Sequence, residues 1–193
     1  PDGRLRRLEH VIPPRKRQAL ETMMERHVHC PATSSMGRLF DAVAFWCGFD
    51  GAAGCEGHAA MVLESWAASL PEDGPEGDSY EWVMHEEGGL LELDWRPVLK
   101  ALNDDLLAGV SRCRIARKFH ESLVNLVFDV AERFSQDRLV LGGGCFQNAF
   151  LLEGLMGMAQ SRACVLSLPQ RVPCNDGGIS LGQAAAAVRQ WIG

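Results

Sequence analysis

An α/β fold is predicted for this chain from three observations. Leu139, Val140 and Leu141 form a short apolar run that reads as a buried strand; Gly142, Gly143 and Gly144 follow it, and Asn148, Phe150, Leu151, Leu152 and Leu155 then recur at helical spacing. A second apolar run over 163–168 leads through Asn175-Asp-Gly-Gly into a helix from Ile179 to Trp191. Between Ile115 and Phe134, the positions Ile115, Phe119, Leu123, Leu126, Val127 and Val130 mark one face of a long helix. Strand, helix, strand, loop and helix make a βαβα unit. Its two glycine-containing turns lie near strand ends, the edge at which open α/β sheets bind ligands.

The glycine turn is the most chemical of these elements. Glycine permits close approaches and backbone conformations that a Cβ forbids. A strand–turn–helix start also aims amides and the positive end of a helix dipole at an anion. A tight turn with no ligand has the same local pattern.

Upstream, a helical stretch runs through 18–24, followed by His27 and His29, which bear only Cys30 as a nearby companion and so make a poor metal-ligand pattern. Thr33, Ser34 or Ser35 can cap a helix whose buried side is Leu39, Phe40, Val43, Ala44 and Trp46, with Gly48 as its stop. Asp41 lies among these apolar positions. Such a carboxylate commonly faces solvent, and if it points inward it needs a polar partner such as a ligand hydroxyl. Glu56 and Gly57 lie at the start of the next helix, where amides are left free; His58 and Glu64 read as helix-surface residues. The polar, Gly- and Pro-rich stretch over 71–87 reads as an exposed loop or hinge, and 90–95 as a strand leading to a helix from Trp95 to Leu107 capped by Asp94. His120, inside the long helix, reads as a packed or capped histidine.

A net charge of −6 argues against nucleic acid as the main partner. Arg4, Arg6, Arg7, Arg15, Lys16 and Arg17 crowd the first segment and read as a solvated helix face. The seven cysteines are odd in number and scattered, a poor framework for disulfides or zinc, so a reducing cytoplasm is expected. No apolar run is long enough to span a bilayer, and no membrane role is expected.

Four motifs in order carry a family resemblance: Thr33-Ser-Ser-x-Gly-Arg-Leu-Phe-Asp-Ala-Val-Ala, Glu56-Gly-x-Ala-Ala, Gly143-Gly-x-Phe-Gln-Asn and Val172-Pro-x-Asn-Asp-Gly-Gly-x-x-Leu-Gly-Gln. Together they resemble the C-terminal part of the Kae1-like domain of the HypF carbamoyltransferases, maturation factors of nickel–iron hydrogenases. The resemblance implies an actin, sugar-kinase and Hsp70-like lobe in its Kae1-like variant. It implies that a carbamoyl adenylate, made from carbamoyl phosphate and ATP, delivers its carbamoyl group to the C-terminal cysteine of a partner, HypE. Position by position, it assigns nucleotide binding to Asp41, Glu56, Gly57, Gly142, Gly143, Gly144 and Asn148. It assigns a divalent metal (Fe, Zn or Mg) to Asp176. The pattern is not complete: Gly142 stands where a serine is expected, Cys145 where a small aliphatic is, and Cys174 where a proline is. The upstream His-x-x-x-His pair of the family's metal site does not occur in this sequence. The chain is therefore expected to be the second lobe of a transferase domain, part of a longer protein and inactive as an isolated segment. It is expected to consist of a helical segment over 1–70, an exposed loop over 71–90 and the βαβα unit over 91–193. Two other functions are weighed beside it: a non-catalytic nucleotide-binding or partner-docking lobe, and a related O-carbamoyl or tRNA threonylcarbamoyl transferase, which the acidic charge and the Gly-Arg-Leu-Phe-Asp-Ala form of the first motif disfavour.

Overall fold

The computed structural model describes residues 11–51, 53–70 and 78–192. It is a mixed α/β structure in which the apolar core lies among five of the described helices, and two short parallel strands present the glycine turn at one end. Helix α1 (Pro14–Glu25) starts on a proline, whose missing N–H is no loss in a first turn, and buries none of its residues. Arg15, Lys16 and Arg17 lie on this solvated helix; Arg4, Arg6 and Arg7 fall outside the described residues.

Helix α2 (Met36–Cys47) is capped by Ser35, whose hydroxyl accepts from the Arg38 amide, and ends at Gly48, with φ at +122°. Helix α3 (His58–Ala68) enters from Gly57 at φ +74° and buries Ala59, Leu63 and Ala67, one small stripe at a spacing of four. Those alanines let α3 lie close along the 22-residue α5 (Arg112–Arg133), which Ser111 caps and which supplies Ile115, Ala116, Phe119, Leu123, Val124, Leu126 and Phe128 to the core.

Residues 83–87 correct the expected loop over 71–90. They form strand β1 (Val83–Glu87), paired antiparallel with β2 (Leu90–Asp94) through Gly88 and Gly89 at φ +60° and +79°. Two consecutive positive-φ glycines make the turn whose twist matches a hairpin. The strand is mostly exposed, so its side chains show no apolar alternation. Residues 71–77 of that expected loop lie outside the described residues. Asp78 then anchors the returning chain to α5, 2.6 Å from Arg114 and 3.2 Å from Lys118. Burial works against its charge, but the hydrogen bonds from these two side chains win and hold its carboxyl below the usual range. Tyr80, also buried, donates its hydroxyl to Asp105.

Helix α4 (Arg96–Leu107) follows. Its cap position is Trp95, but Asp94 accepts from the Arg96 amide at 2.9 Å and grips the Arg96 guanidinium as well. Strand β3 (Arg138–Val140) pairs in parallel with β4 (Val165–Ser167), and α6 (Ala149–Ser161) joins them. The run over 139–141 is not buried throughout. Leu141 is, while Val140 is 81 % exposed, because β3 has a single neighbouring strand and one uncovered face among the described residues. The last helix, α7 (Ile179–Ile192), grows from the short 3-10 turn Asp176–Gly178. None of the described helices is long and apolar enough to cross a membrane.

At Gly154 α6 lies tight against α5: an added Cβ would sit 2.9 Å from Cγ2 of Val124, a stiff β-branched side chain. Alanine gains about 1 kcal/mol in helix propensity, while overpacking costs about 1–3 kcal/mol. Gly154→Ala is therefore expected to lower stability in urea unfolding by about 1 kcal/mol, and adding Val124→Ala to relieve the clash and raise stability relative to the Val124→Ala single variant.

Candidate functional site

Beyond β3 the chain enters the glycine turn. Leu141 still donates to Ser167 of β4, and Gly142 and Gly143 face open space where a Cβ would point. Gly143 sits at φ +111° and ψ 156°, a conformation glycine alone adopts readily, and its amide donates to the Cys174 carbonyl at 2.6 Å. The two turns singled out in sequence are thereby joined. The Asn175 carboxamide adds a second tie, donating to Gln147 Oε1 at 3.2 Å, while its own oxygen accepts from the Gly177 amide. Gly178 is required by space: a Cβ there would lie 2.7 Å from the Pro173 carbonyl oxygen.

Residues Gly144–Gln147 form a 3-10 turn in which Phe146 donates to Gly143 and Asn148 to Cys145. The amides of Gly144 and Cys145 have no acceptor among the described residues. Helices α2 and α6 both pack on this turn. Burial pushes the half-buried Cys145 thiol up, which makes it a packing residue rather than a thiolate.

Asn148 is buried and its side chain is engaged at both ends. Its oxygen accepts from the Leu151 amide at 2.8 Å, capping α6, and its Nδ2 lies 2.9 Å from His120 Nε2. His120 is fully buried, and its Nδ1 is 2.7 Å from the Ala116 carbonyl. A carbonyl only accepts, so the ring carries its proton on Nδ1 and offers the Nε2 lone pair to Asn148. Phe40, Phe119 and Phe150 surround the ring edge-to-face. The first two amides of α6 meet a carboxylate from another helix: Glu64 Oε1 accepts from Ala149 at 2.7 Å and Phe150 at 3.3 Å.

The remaining sequence-predicted residues are placed as follows. Asp41 is half-buried on α2 and faces outward, 2.9 Å from Arg38. Glu56 is exposed in the loop between α2 and α3, and Gly57 opens α3. His58, which accepts from the Gly54 amide and meets Phe49 edge-on, holds that loop against the end of α2. No hydrogen bond or ion pair joins Asp41 or Glu56 to the glycine turn among the described residues. Asp176 is exposed at the start of its 3-10 turn. Among the described residues no three His, Cys, Asp or Glu side chains gather to hold a metal. His27 and His29 are both left-handed, at φ 52° and 54°, and lie on neither a strand nor a helix. Glu64 was not legible as a functional residue, because its partners lie 85 and 86 positions away and no local motif encodes them.

A family model described as "Carbamoyltransferase, Kae1-like Domain, second subdomain" matches residues 3–183. The chain belongs to this family. It is 38 % identical over 164 residues to the carbamoyltransferase HypF of Synechocystis, covering 84 % of this chain and 21 % of that protein. It is 35 % identical over 193 residues to a HypF homolog of Cupriavidus necator, covering 96 % of this chain and 48 % of that protein. The crystal structure of a full-length HypF in its phosphate- and nucleotide-bound form superposes with a TM-score of 0.84 at 30 % identity, over 99 % of this chain and 30 % of that one. This member of the Kae1-like carbamoyltransferase family thus spans between about a fifth and a half of the length of these curated relatives.

The buried histidine gives the site an acid sensitivity. Burial lowers the His120 pKa from 6.5 to about 4, against the opposing hydrogen bond to Ala116. Between those values the unfolded chain takes up the proton and the native chain does not. The contribution is therefore complete above the unfolded value and is lost as pH falls toward the native one, by up to about 3 kcal/mol. Urea unfolding of His120→Gln is expected to show lower stability at neutral pH and a shallower fall on acidification than the parent chain.

Proposed function

We propose that this chain is the nucleotide-holding second lobe of a HypF-type carbamoyltransferase, with the actin, sugar-kinase and Hsp70-like architecture of that group. The observation that carries this reading is the open glycine turn, braced by the Gly143–Cys174 hydrogen bond and leaving the Gly144 and Cys145 amides unclaimed, in a chain of this family. Unclaimed amides beside open glycines suit a phosphate. Asp41, already on the solvent side of α2, is offered as the acceptor for ribose hydroxyls, and Glu56 and Gly57 as the loop that borders the nucleotide. Asn148 acts from beneath, since its carboxamide is committed to α6 and His120.

In the proposed reaction, carbamoyl adenylate formed from carbamoyl phosphate and ATP yields its carbamoyl carbon to an attacking thiolate; the new C–S bond replaces the bond to the nucleotide phosphate, and AMP leaves. The acceptor is the C-terminal cysteine of HypE. Cys145 is a poor candidate for that thiolate, since burial favours its neutral thiol. For the expected divalent metal (Fe, Zn or Mg), Asp176 would supply one carboxylate; one carboxylate does not make a site, and among the described residues no three His, Cys, Asp or Glu side chains gather to complete one. This single ligand favours a second reading, a nucleotide-binding lobe that docks the partner without catalysing, which docking of HypE without carbamoyl transfer would reveal.

The first test is calorimetry with ADP. A hydrogen bond to a charged group is worth about 1.5–3 kcal/mol, so Asp41→Ala is expected to weaken binding by about tenfold to a hundredfold. Loss of the exposed Arg38 pair changes stability by less than about 1 kcal/mol, so the folded variant is a fair comparison. Equal affinity in the two chains rejects the assignment of Asp41.

A further inference from the structure

The first turn of α6 has an occupant of its own. Glu64 reaches from α3 and accepts from Ala149 at 2.7 Å and Phe150 at 3.3 Å, while Asn148 takes the third amide, from Leu151. The position of Glu64 is set by packing: Leu63, its neighbour, is fully buried with Ala59 and Ala67 in the α3 stripe, and the contact of α3 with α6 carries the carboxylate to the helix end. His120 holds Asn148 in the orientation that completes the set. A carboxylate at a helix N-terminus is favoured by the dipole and satisfies donors that would otherwise attract a free anion.

We infer that Glu64 is a positioning and specificity residue: it is a built-in anion that closes the N-terminus of α6 to ligand phosphate and leaves the Gly144 and Cys145 amides as the place where phosphate is received. This deepens the nucleotide-lobe reading and rests on it for the second half only. A phosphate approaching Ala149 or Phe150 meets a like charge, and one approaching Gly144 or Cys145 meets donors without an acceptor among the described residues. The turn and the helix are consecutive in sequence, so this charge decides which of two neighbouring donor sets a phosphate uses.

Amide NMR of the whole 193-residue chain with inorganic phosphate, and separately with ADP, tests this. In the parent chain phosphate is expected to leave the Ala149 and Phe150 signals in place. In Glu64→Ala it is expected to shift them, with a gain of about threefold to tenfold in phosphate affinity. Glu64→Gln keeps an oxygen to cap the helix and loses the charge, so it is expected to show the same gain in weaker form, and it decides the matter if the alanine variant does not fold. Shifts at Ala149 and Phe150 in the parent chain, or none in either folded variant, overturn the role of Glu64. Failure of the nucleotide reading is separate: ADP would then leave Gly144 and Cys145 unshifted in the parent chain, while the variants still gained phosphate at α6.

Discussion

The hydrogen bond between His120 and Asn148 is the constraint on which the placement of the glycine turn depends. It joins the middle of the longest core helix among the described residues to the cap residue of the helix that follows the turn, and it is buried at both ends. Such a bond contributes modestly when made, but leaves a buried donor or acceptor unsatisfied when one partner is removed, at a cost of about 1–3 kcal/mol. The Ala116 carbonyl sets the tautomer, the tautomer makes Nε2 an acceptor, and that acceptor turns the Asn148 oxygen toward Leu151. Three edge-on phenylalanines keep water from the ring, so the chain of dependence has no competing solvent partner.

From this anchor the turn is braced on its far side by backbone. Gly143 donates to Cys174, and Gly178 lies so close to Pro173 that no side chain fits. The glycines of the two motifs thus serve different ends. Those at 142 and 143 leave space open toward solvent, and the one at 178 allows two backbone segments to touch. A turn held between a buried hydrogen bond and a backbone contact is preorganised, so the phosphate contact proposed for it would carry a lower ordering cost.

Much of the fold was legible in the sequence because its signals are local. Ser35 caps a helix by bonding three residues onward, Gly48 ends it by its positive φ, and the apolar face of α5 repeats at the helical period, while the Ser111 cap of α5 came only with the structure. The hairpin over 83–94 was half read: its second strand was expected over 90–95, while its first strand is exposed and polar and carries no apolar alternation. Val140 was expected in the core because its run is apolar; with a single strand beside β3 among the described residues, one face of the pair stays uncovered.

By itself the sequence determined the family, through four motifs in order, together with most of the helices, the Ser35 cap and the glycine turn between a strand and a helix. Only the tertiary structure decided what the helix after that turn is doing. The pattern of strand, glycines and helix promises an anion at the α6 N-terminus, and the anion present there is Glu64, brought by α3 packing from 85 residues away. The physical reason is that a cap depends on distance in space, and a side chain from a separate helix leaves no periodicity or spacing beside the turn it satisfies.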